Sequence, residues 1–433
     1  MRITINTHRR YQSMEGFGVS GAWWAQDIGT WPEPDLTRLL RVLFDPQEGI
    51  GLTIYRYNIG ADGGPEISDP WRRAQSFYDE RGQYDWTRDR AARRVLSAAL
   101  QAGARDVVAF ACSPPASMTI SGRSSGNDDG RSNLSPNRVS DFVRYLVDVV
   151  GHLRSEGVPI RWLSPVNEPQ WEWQAKNGQE GAHYTPQEVA DVVRAVVRAL
   201  QEAELPEVTL SAPESGQWKG SEEWVAPLLD DPEIGPALSH ISLHSYWSTP
   251  ADKVRFAAYM ASRWPGQKLW MSEWTEMRGG RDLGMDSALV LAQTVLEDLT
   301  LGCVTSWQYW IAVSQYAYRD GLVYVDAGQP GVIPTKRLWS LGQFSRFVRP
   351  GSVRVAAESD DPDVSVIAFT TDQGVVAVVI NRSPVTKPYD LHAVGHGPVQ
   401  TVRQFVTNAE MDLAEYVGGL PSASVSTLIL ADP

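Results

Sequence analysis

The chain has 433 residues, of which 42% are hydrophobic and 21% are charged, and its formal net charge is −13. This size and composition favour a large buried core, with one large domain and a smaller companion. The charges are spread along the chain, and the negative excess argues against nucleic acid or an anionic membrane as a partner. No run of about 18 apolar residues exists, so the sequence predicts no membrane span.

The beginning of the chain and its two cysteines bear on location and redox state. The first residues, MRITINTHRRYQS, contain no apolar leader segment. We therefore expect a cytoplasmic protein, or a secreted one if a leader precedes residue 1. Cys112 and Cys303 stand in the apolar stretches VVAFACS and LGCVTSW. They predict buried free thiols and neither a disulfide framework nor a metal site. The sequence leaves the oligomeric state open.

Eight short β-branched runs alternate with helix-like segments over residues 11–345. One of these helices begins with a capping box at Thr185 and Glu188, and another ends at Gly302. Such alternation predicts a (β/α)8 barrel with its chemistry on the loops after the strands, and a doubly wound α/β sheet is the alternative. The predicted strands span residues 15–20, 53–59, 106–112, 161–167, 207–212, 240–246, 268–273 and 304–310.

The remaining chain, residues 346–433, has a different pattern. Stretches such as SVRVAAESDDPDVSVIAFTTDQGVVAVVINRS and SASVSTLILADP alternate apolar and polar residues between turn residues, without a helical period. This pattern predicts an all-β companion domain, which we expect to be a β-sandwich.

A glycine-rich stretch, EGFGVSG at residues 15–21, matches the dinucleotide-binding pattern G-x-G-x-x-G. That fingerprint needs a helix opening inside it and an acidic residue about 20 positions later. The sequence AWWAQDIGTWPEPD that follows gives no helix start at Gly21. We therefore interpret the three glycines as close-packing positions of the first barrel strand, where the backbone approaches a ligand.

Two further motifs are weak. GRSSG, residues 122–126, matches G-x-S-x-G around Ser124, but a nucleophile elbow needs a strand directly before the serine and a helix directly after it. Ser124 lies in a polar loop, so a serine hydrolase is a minor alternative. His240 and His244 are four apart on a predicted strand, and without a Cys/His/Asp cluster they predict no metal site. We expect His240 to pack structurally and His244, at the strand's end, to be functional.

Two glutamates carry the strongest signal. Glu168 follows predicted strand four in SPVNEPQWEW, and Glu273 follows predicted strand seven in LWMSEWTEM. A charge after an apolar strand is costly unless it faces a cavity with partners. In a barrel the two carboxylates would face one cleft, and a separation of about 5 Å is what retaining glycoside hydrolysis requires. The alternative is two structural ion pairs. Several of the 17 tryptophans flank these acids, where their rings could stack on sugars.

On these motifs the chain resembles glycoside hydrolase family 30, a family of retaining (β/α)8 glycosidases with the acid/base after strand four and the nucleophile after strand seven. The N-E-P and S-E pairs are typical of the wider clan. The stretches GFGVSGAWWA, RYNIG, SPPASMTISG, NEPQWEW, GQEGAHY and LWMSEW resemble more narrowly the endo-β-1,6-galactanase subfamily. The resemblance covers essentially the whole chain. It implies that residues 1–10 join the β-sandwich and that no cofactor or metal is needed.

The resemblance also implies roles for the matching residues around the two acids. Glu168 would be the acid/base and Glu273 the nucleophile. Arg56 would keep the Glu273 carboxylate ionised, because a nearby cation lowers a carboxylate pKa. His244 and Tyr246 would face the cleft, with Tyr246 donating a hydrogen bond to the nucleophile.

Other matching residues would bind the sugar. Asn167 would hydrogen-bond the 2-hydroxyl, a contact that strengthens in the transition state. Trp310 would form the floor under the −1 sugar. The tryptophans that would shape the rest of the pocket are Trp23, Trp24 and Trp171.

The implied activity is cleavage of β-1,6-linked galactan or galactooligosaccharides by double displacement with two glutamates. Related enzymes carry an aromatic residue after strand three, where this chain has Ala116 and Ser117. The resemblance therefore leaves β-1,6-glucanase, β-xylosidase and β-fucosidase activities open as alternatives. A non-catalytic carbohydrate-binding protein is the alternative of another class, against which both glutamates argue. The expected partner is an oligo- or polysaccharide.

Overall fold

A closed barrel of eight parallel strands follows strand β1 (Arg2–Ser13) in the computed structural model, which describes residues 1–79, 81–326, 328–372, 374–394 and 397–430. Each barrel strand overlaps a predicted one, so the (β/α)8 barrel is confirmed and the doubly wound sheet is wrong. In order around the barrel, the strands are β2 (Gly16–Ser20), β3 (Ile54–Asn58), β4 (Asp106–Phe110), β5 (Ile160–Ser164), β6 (Thr209–Ser215), β7 (Leu238–His244), β8 (Leu269–Glu273) and β9 (Ser306–Tyr309).

Strand β2 closes the barrel between β3 and β9, and its glycines make this closure possible. Gly18 pairs with Ile54 of β3, and Gly16 pairs with Ser306 of β9. A Cβ on Gly18 would lie 2.8 Å from the backbone oxygen of Ile54. The interpretation of these glycines as close-packing positions is therefore confirmed.

Helices surround the barrel and connect its strands. The predicted capping box is present, because the Thr185 hydroxyl accepts from the Glu188 amide and the Glu188 carboxylate accepts from the Thr185 amide. The α-helices are α1 (Ala25–Ile28), α2 (Glu33–Phe44), α3 (Arg90–Ala102), α4 (Val139–Ser155), α5 (Pro186–Glu202), α6 (Glu222–Leu229), α7 (Pro250–Arg263), α8 (Met285–Thr300) and α9 (Lys336–Ser345). Short 3-10 helices span Pro70–Arg72, Ala116–Met118, Pro136–Arg138, Ala175–Asn177 and Gly235–Ala237. Within the described ranges, no helix has the length and apolar composition needed to cross a bilayer.

Two further sheets lie outside the barrel. A small sheet after β9 contains β10 (Ile311–Ser314), β11 (Gly321–Tyr324) and β12 (Ile333–Pro334). The larger sheet contains β1 together with β13 (Val353–Ser359), β14 (Val364–Thr371), β15 (Gly374–Asn381), β16 (Asp390–Ala393), β17 (Gly397–Pro398), β18 (Thr401–Thr407), β19 (Ala414–Glu415) and β20 (Ser424–Leu430).

The larger sheet confirms the predicted all-β companion domain, and its nine strands form one continuous, mostly antiparallel sheet. Strand β1 lies between β13, with which it is antiparallel, and β16, with which it is parallel. Helix α9 contacts this sheet through Gln343, whose amide donates to Thr407 and accepts from Thr427. The end of the predicted last run, residues 431–433, lies outside the described residues.

The two cysteines differ in exposure. Cys112 is buried, as predicted, but Cys303 is exposed, so the expectation of a buried thiol there is wrong. The backbone of Cys303 has a φ of +53°, in the left-handed region. The chain turns at this point between α8 and β9, which directs the Cys303 side chain outward while the neighbouring Val304 stays in the core.

Candidate active site

A cleft of about 900 Å³ opens at the carboxyl ends of the barrel strands. Its wall comes from the loops that follow the strands, as expected for a barrel whose chemistry lies on that face. Arg56 and His244, both fully buried, contact the two predicted catalytic glutamates. The predicted site residues in the cleft wall itself are Trp23, Asn167, Glu168, Trp171, Tyr246, Glu273 and Trp310.

Glu168 and Glu273 lie close together in this cleft. Glu273 is the last residue of β8, and Glu168 lies in the loop after β5, three places away around the barrel. One carboxylate oxygen of each and a ring nitrogen of His244 lie within 4.8 Å of one another. Glu168 has a φ of +46°, and its amide donates to the backbone oxygen of Glu214 at 2.9 Å. The chain therefore turns back at Glu168, toward the barrel axis.

Glu273 is held by two donors. Arg56 Nη1 donates to Glu273 Oε2 at 2.8 Å, and the Tyr246 hydroxyl donates to Oε1 at 3.1 Å. Burial raises the pKa of Glu273 above its ordinary value, and the His244 and Arg56 cations offset only part of this rise. Burial also raises the pKa of Tyr246 well above its ordinary value, so its hydroxyl keeps the proton that it donates.

His244, the last residue of β7, lies among three carboxylates. Its Nδ1 lies 3.0 Å from Glu168 Oε1 and 3.5 Å from Glu273 Oε1, and its Nε2 lies 3.2 Å from Glu214 Oε2. Burial opposes a charge on the ring, but the carboxylates outweigh burial and raise the pKa of His244 to about 10. Each ring nitrogen thus faces a carboxylate oxygen, an arrangement that favours the imidazolium, which donates from both nitrogens.

Glu214 is the residue that sequence reasoning missed. The predicted fifth strand ends at Ala212. Strand β6 nevertheless continues through Pro213 to Ser215, with an irregular register against β7 at this point. Glu214 is fully buried and has a φ of +58°. The available signal was its position in SAPESG, where an acid follows an apolar strand as Glu168 and Glu273 do.

The part of the cleft nearest β2 and β9 is aromatic. Trp23 and Trp310 meet edge to face, with ring centroids 5.2 Å apart. The Arg72 guanidinium lies over the Trp23 ring, 4.7 Å from its centroid. Nearer the acids, Asn167 Oδ1 accepts from Arg56 Nη2 at 3.3 Å, which fixes the amide and directs its NH₂ group away from Arg56.

Trp24 lies outside the cleft, so the expectation that it shapes the sugar pocket is wrong. It is fully buried, its Nε1 donates to the backbone oxygen of Ser20 at 2.8 Å, and its ring packs edge-on against Tyr55. Because the chain enters helix α1 at Trp24, successive side chains point in different directions, and only Trp23 reaches the cleft.

The minor motifs do not form sites. Ser124 is buried in an irregular loop between the turns Ala116–Met118 and Pro136–Arg138, so the nucleophile elbow is absent from this fully described segment. His240 stacks on Trp270 with ring centroids 3.6 Å apart, which confirms the structural packing expected of it. Burial lowers the pKa of His240 to about 3, so it is neutral.

Glu168, His244 and Glu273 are the one group of described residues whose ligand atoms could together hold a metal ion. Their hydrogen bonds and charges do not fit that use. Metal binding requires a neutral histidine with a free nitrogen, whereas both His244 nitrogens face carboxylates and the Arg56 guanidinium already pairs with Glu273. We therefore assign no metal site to this cluster.

Retaining glycoside hydrolases need two carboxylates this close together, and active sites of (β/α)8 barrels lie at this end of the strands. The family model O-Glycosyl hydrolase family 30 matches residues 1–226 and 228–324, and the chain belongs to this family. The protein is therefore a glycoside hydrolase of a retaining family, and its substrate is a carbohydrate.

Relatives and solved structures agree with this assignment. The chain is 26% identical to an endo-β-1,6-galactanase of Hypocrea rufa over 87% of this chain and 80% of the relative. It is 24% identical to a glucuronoxylanase, XynC, of Bacillus subtilis over 75% and 73% of the two chains. A conserved exported protein from Bacteroides fragilis shares the fold with a TM-score of 0.89 and 24% identity, over 99% of this chain and 100% of that chain. A family 30 xylanase C from Talaromyces cellulolyticus does so with a TM-score of 0.80 and 20% identity, over 100% of both chains.

Proposed function

We propose that the protein cleaves β-1,6-linked galactan or galactooligosaccharides, with Glu273 as the nucleophile and Glu168 as the acid/base. The observation that carries the retaining mechanism is the proximity of the two carboxylates, whose closest oxygens lie within 4.8 Å. Inverting enzymes need about 6.5–9.5 Å between the carboxyl groups to admit a water, whereas retaining enzymes need about 5–5.5 Å.

In the first step, Glu273 attacks the anomeric carbon while Glu168 gives its proton to the departing sugar oxygen. Arg56 favours this assignment, because its guanidinium contacts Glu273 and stabilises the ionised form. The Tyr246 hydroxyl donates to the other oxygen of Glu273 and orients the attacking carboxylate. The product of this step is a glycosyl ester on Glu273.

In the second step, water replaces Glu273 at the anomeric carbon. Glu168, now without its proton, takes a proton from this water and acts as the base. Asn167 donates to the sugar 2-hydroxyl in both steps, and its position beside Arg56 supports this role. Trp310 supports the face of the −1 sugar, with Trp23 edge-on beside it.

The choice of β-1,6-galactan rests on the sequence. The motifs around both glutamates resemble the endo-β-1,6-galactanase subfamily, and the relative named as such aligns over 87% of this chain. β-1,6-Glucanase, β-xylosidase and β-fucosidase activities are the alternatives within the family. The absence of an aromatic residue at Ala116 and Ser117, in the loop after β4, is what keeps them open.

The deciding experiment is product analysis on three polymers: β-1,6-galactan, β-1,6-glucan and xylan. We expect galactooligosaccharides from the first at a rate at least about tenfold above the others. A faster release of sugars from β-1,6-glucan or xylan would contradict galactan as the preferred substrate. Glu273→Gln, with its carboxylate removed, is the matched control and should release nothing from any of them.

A further inference from the structure

Glu214 has no step in the reaction proposed above, yet it contacts the residues that perform it. It is fully buried on β6, beneath the cleft and outside its wall. Its polar contacts are with residues around the two catalytic glutamates, so we expect it to act on the reaction through those residues.

The contacts of Glu214 are those of a permanent anion. Its Oε2 lies 3.2 Å from His244 Nε2 and 3.7 Å from Arg56 Nη2. The Ser272 hydroxyl donates to the same oxygen, and the Ser211 hydroxyl donates to Oε1 at 2.9 Å. Burial alone would raise the pKa of Glu214, but the Arg56 and His244 charges and the hydroxyl donors lower it.

The surroundings of His244 show why this anion matters. Glu168 and Glu273 approach Nδ1 from the ends of β5 and β8, and Glu214 approaches Nε2 from β6. The Tyr246 ring lies edge-on at 5.8 Å, and Arg56, from β3, lies on the far side of the carboxylates. Of these three carboxylates, only Glu214 faces Nε2.

We propose that Glu214 is a positioning residue that holds His244 as a doubly protonated imidazolium, with Nδ1–H aimed at Glu168. The Nε2–H bond to Glu214 fixes the ring plane, because a histidine ring is oriented by the partner of its second nitrogen. Removing the Glu214 charge removes the partner of Nε2–H, so His244 releases a proton more easily. A neutral His244 no longer donates reliably to Glu168. The expected effect on catalysis rests on the proposed function, whereas the charge state of His244 does not.

The test is the titration of His244 in protein labelled with ¹⁵N-histidine. Its ring signals are assigned by their loss in His244→Gln. In the wild type we expect both ring nitrogens to stay protonated up to at least pH ~8. In Glu214→Gln the midpoint should fall by at least about one pH unit, since one unit corresponds to a modest change in interaction with the charged ring. This measurement needs no substrate, so failure of the proposed function leaves it intact.

Glu180→Gln is the matched control. Glu180 is another buried carboxylate, but it accepts from the amides of Ala61 and Gly63 and does not contact His244. Its substitution should leave the His244 midpoint unchanged. Two results would overturn the proposal. The first is a neutral His244 in the wild type at pH ~7, a measurement that does not depend on any variant folding. The second is a folded Glu214→Gln whose His244 midpoint equals that of the wild type.

Activity gives a second readout. With galactooligosaccharides we expect kcat/KM of Glu214→Gln to fall about 10- to 100-fold, the range for losing one charged hydrogen bond. The alkaline limb of its pH profile should move to lower pH together with the His244 midpoint. A loss of activity with an unchanged profile and unchanged His244 signals would mean a purely structural role and contradict the proposal.

Discussion

Trp171 and Trp247 meet edge to face above Glu168, with ring centroids 5.7 Å apart and ring planes at 87°. Trp171 lies in the loop after β5, and Trp247 lies in the loop after β7. Trp247 is 63% exposed, a large apolar surface to leave in water. Both line the cleft, where we expect them to contact a part of the sugar chain beyond the sugar that reacts.

This pair predicts a separate effect on long substrates. Trp247→Ala should raise KM for β-1,6-galactan about 2- to 10-fold, because an aromatic contact of this kind contributes about 0.5–1.5 kcal/mol. Aryl monosaccharide glycosides, which do not reach Trp247, should be cut as by the wild type. Trp264→Ala serves as the control, because Trp264 directly follows helix α7 and is not part of the cleft wall. It should change the KM for neither galactan nor the aryl glycosides. Equal losses on long and short substrates would contradict the assignment.

The close carboxylates predict the stereochemistry. Because the nearest oxygens of Glu168 and Glu273 lie within 4.8 Å, a water cannot stand between them for direct attack. The first product should therefore keep the β configuration. Proton NMR of the anomeric signals in the first minutes reads this directly. An α product at the earliest time points would contradict a double displacement.

The leaving group should separate the two glutamates. General acid catalysis contributes about 10²–10⁴-fold, but only where the leaving group needs a proton. Glu168→Ala should thus cut galactan very slowly, while an activated aryl galactoside still glycosylates Glu273 and gives a burst. Azide, which needs no deprotonation, should restore turnover and yield the β-glycosyl azide.

Glu273→Ala is the matched comparison for that experiment. It lacks the nucleophile, so neither substrate should give a burst, and azide could produce only the α-glycosyl azide. If both variants lose aryl glycoside cleavage equally and azide rescues neither, the roles of Glu168 and Glu273 are assigned wrongly.

Glu180 predicts a pH dependence of stability. Burial raises its pKa from the ordinary 4.5 to about 8, so the folded protein binds more protons than the unfolded chain between these values. Its contribution to the free energy of unfolding is complete below about pH 4.5 and is lost as pH rises through about 8. Urea unfolding of wild type and Glu180→Gln should show the wild type losing more stability between the two values. Parallel pH curves would contradict this.

The cysteines predict a simple labelling result. Cys303 is exposed, whereas Cys112 is buried and its thiol pKa is well above the ordinary value because of that burial. An aromatic disulfide reagent should modify one thiol in the native protein and a second only after unfolding. Cys303→Ser should remove the fast reaction, and Cys112→Ser should leave it. Fast labelling of Cys303→Ser would mean that another thiol is accessible in the native protein and would contradict this prediction.

Strand periodicity and strand-end acids were enough to predict the barrel and the pair Glu168 and Glu273. The acid after the apolar run in SAPESG is a usable signal for Glu214, but the sequence could not show that β6 continues through Pro213, because the irregular backbone that admits a proline there is a tertiary feature. Nor could it separate Trp23 from Trp24, since adjacent residues look alike until the helix start is known. The prediction that Cys303 is buried was wrong for a related reason, because its left-handed backbone changes which neighbouring side chains face the core.

Strand β1 ties the beginning of the chain to its last quarter, since Ile3 pairs with Ser359 and also with Leu391. Strand β1 precedes the barrel in the chain, whereas its partners β13 and β16 both follow the barrel. Because synthesis runs from the amino end, β1 has neither partner until the barrel has been made. An unpaired strand is a template for aggregation, and arginines along its edge discourage such pairing. Arg2, Arg9 and Arg10 are exposed on β1. These charges therefore disfavour edge-to-edge pairing of β1 with another chain before β13 and β16 are available.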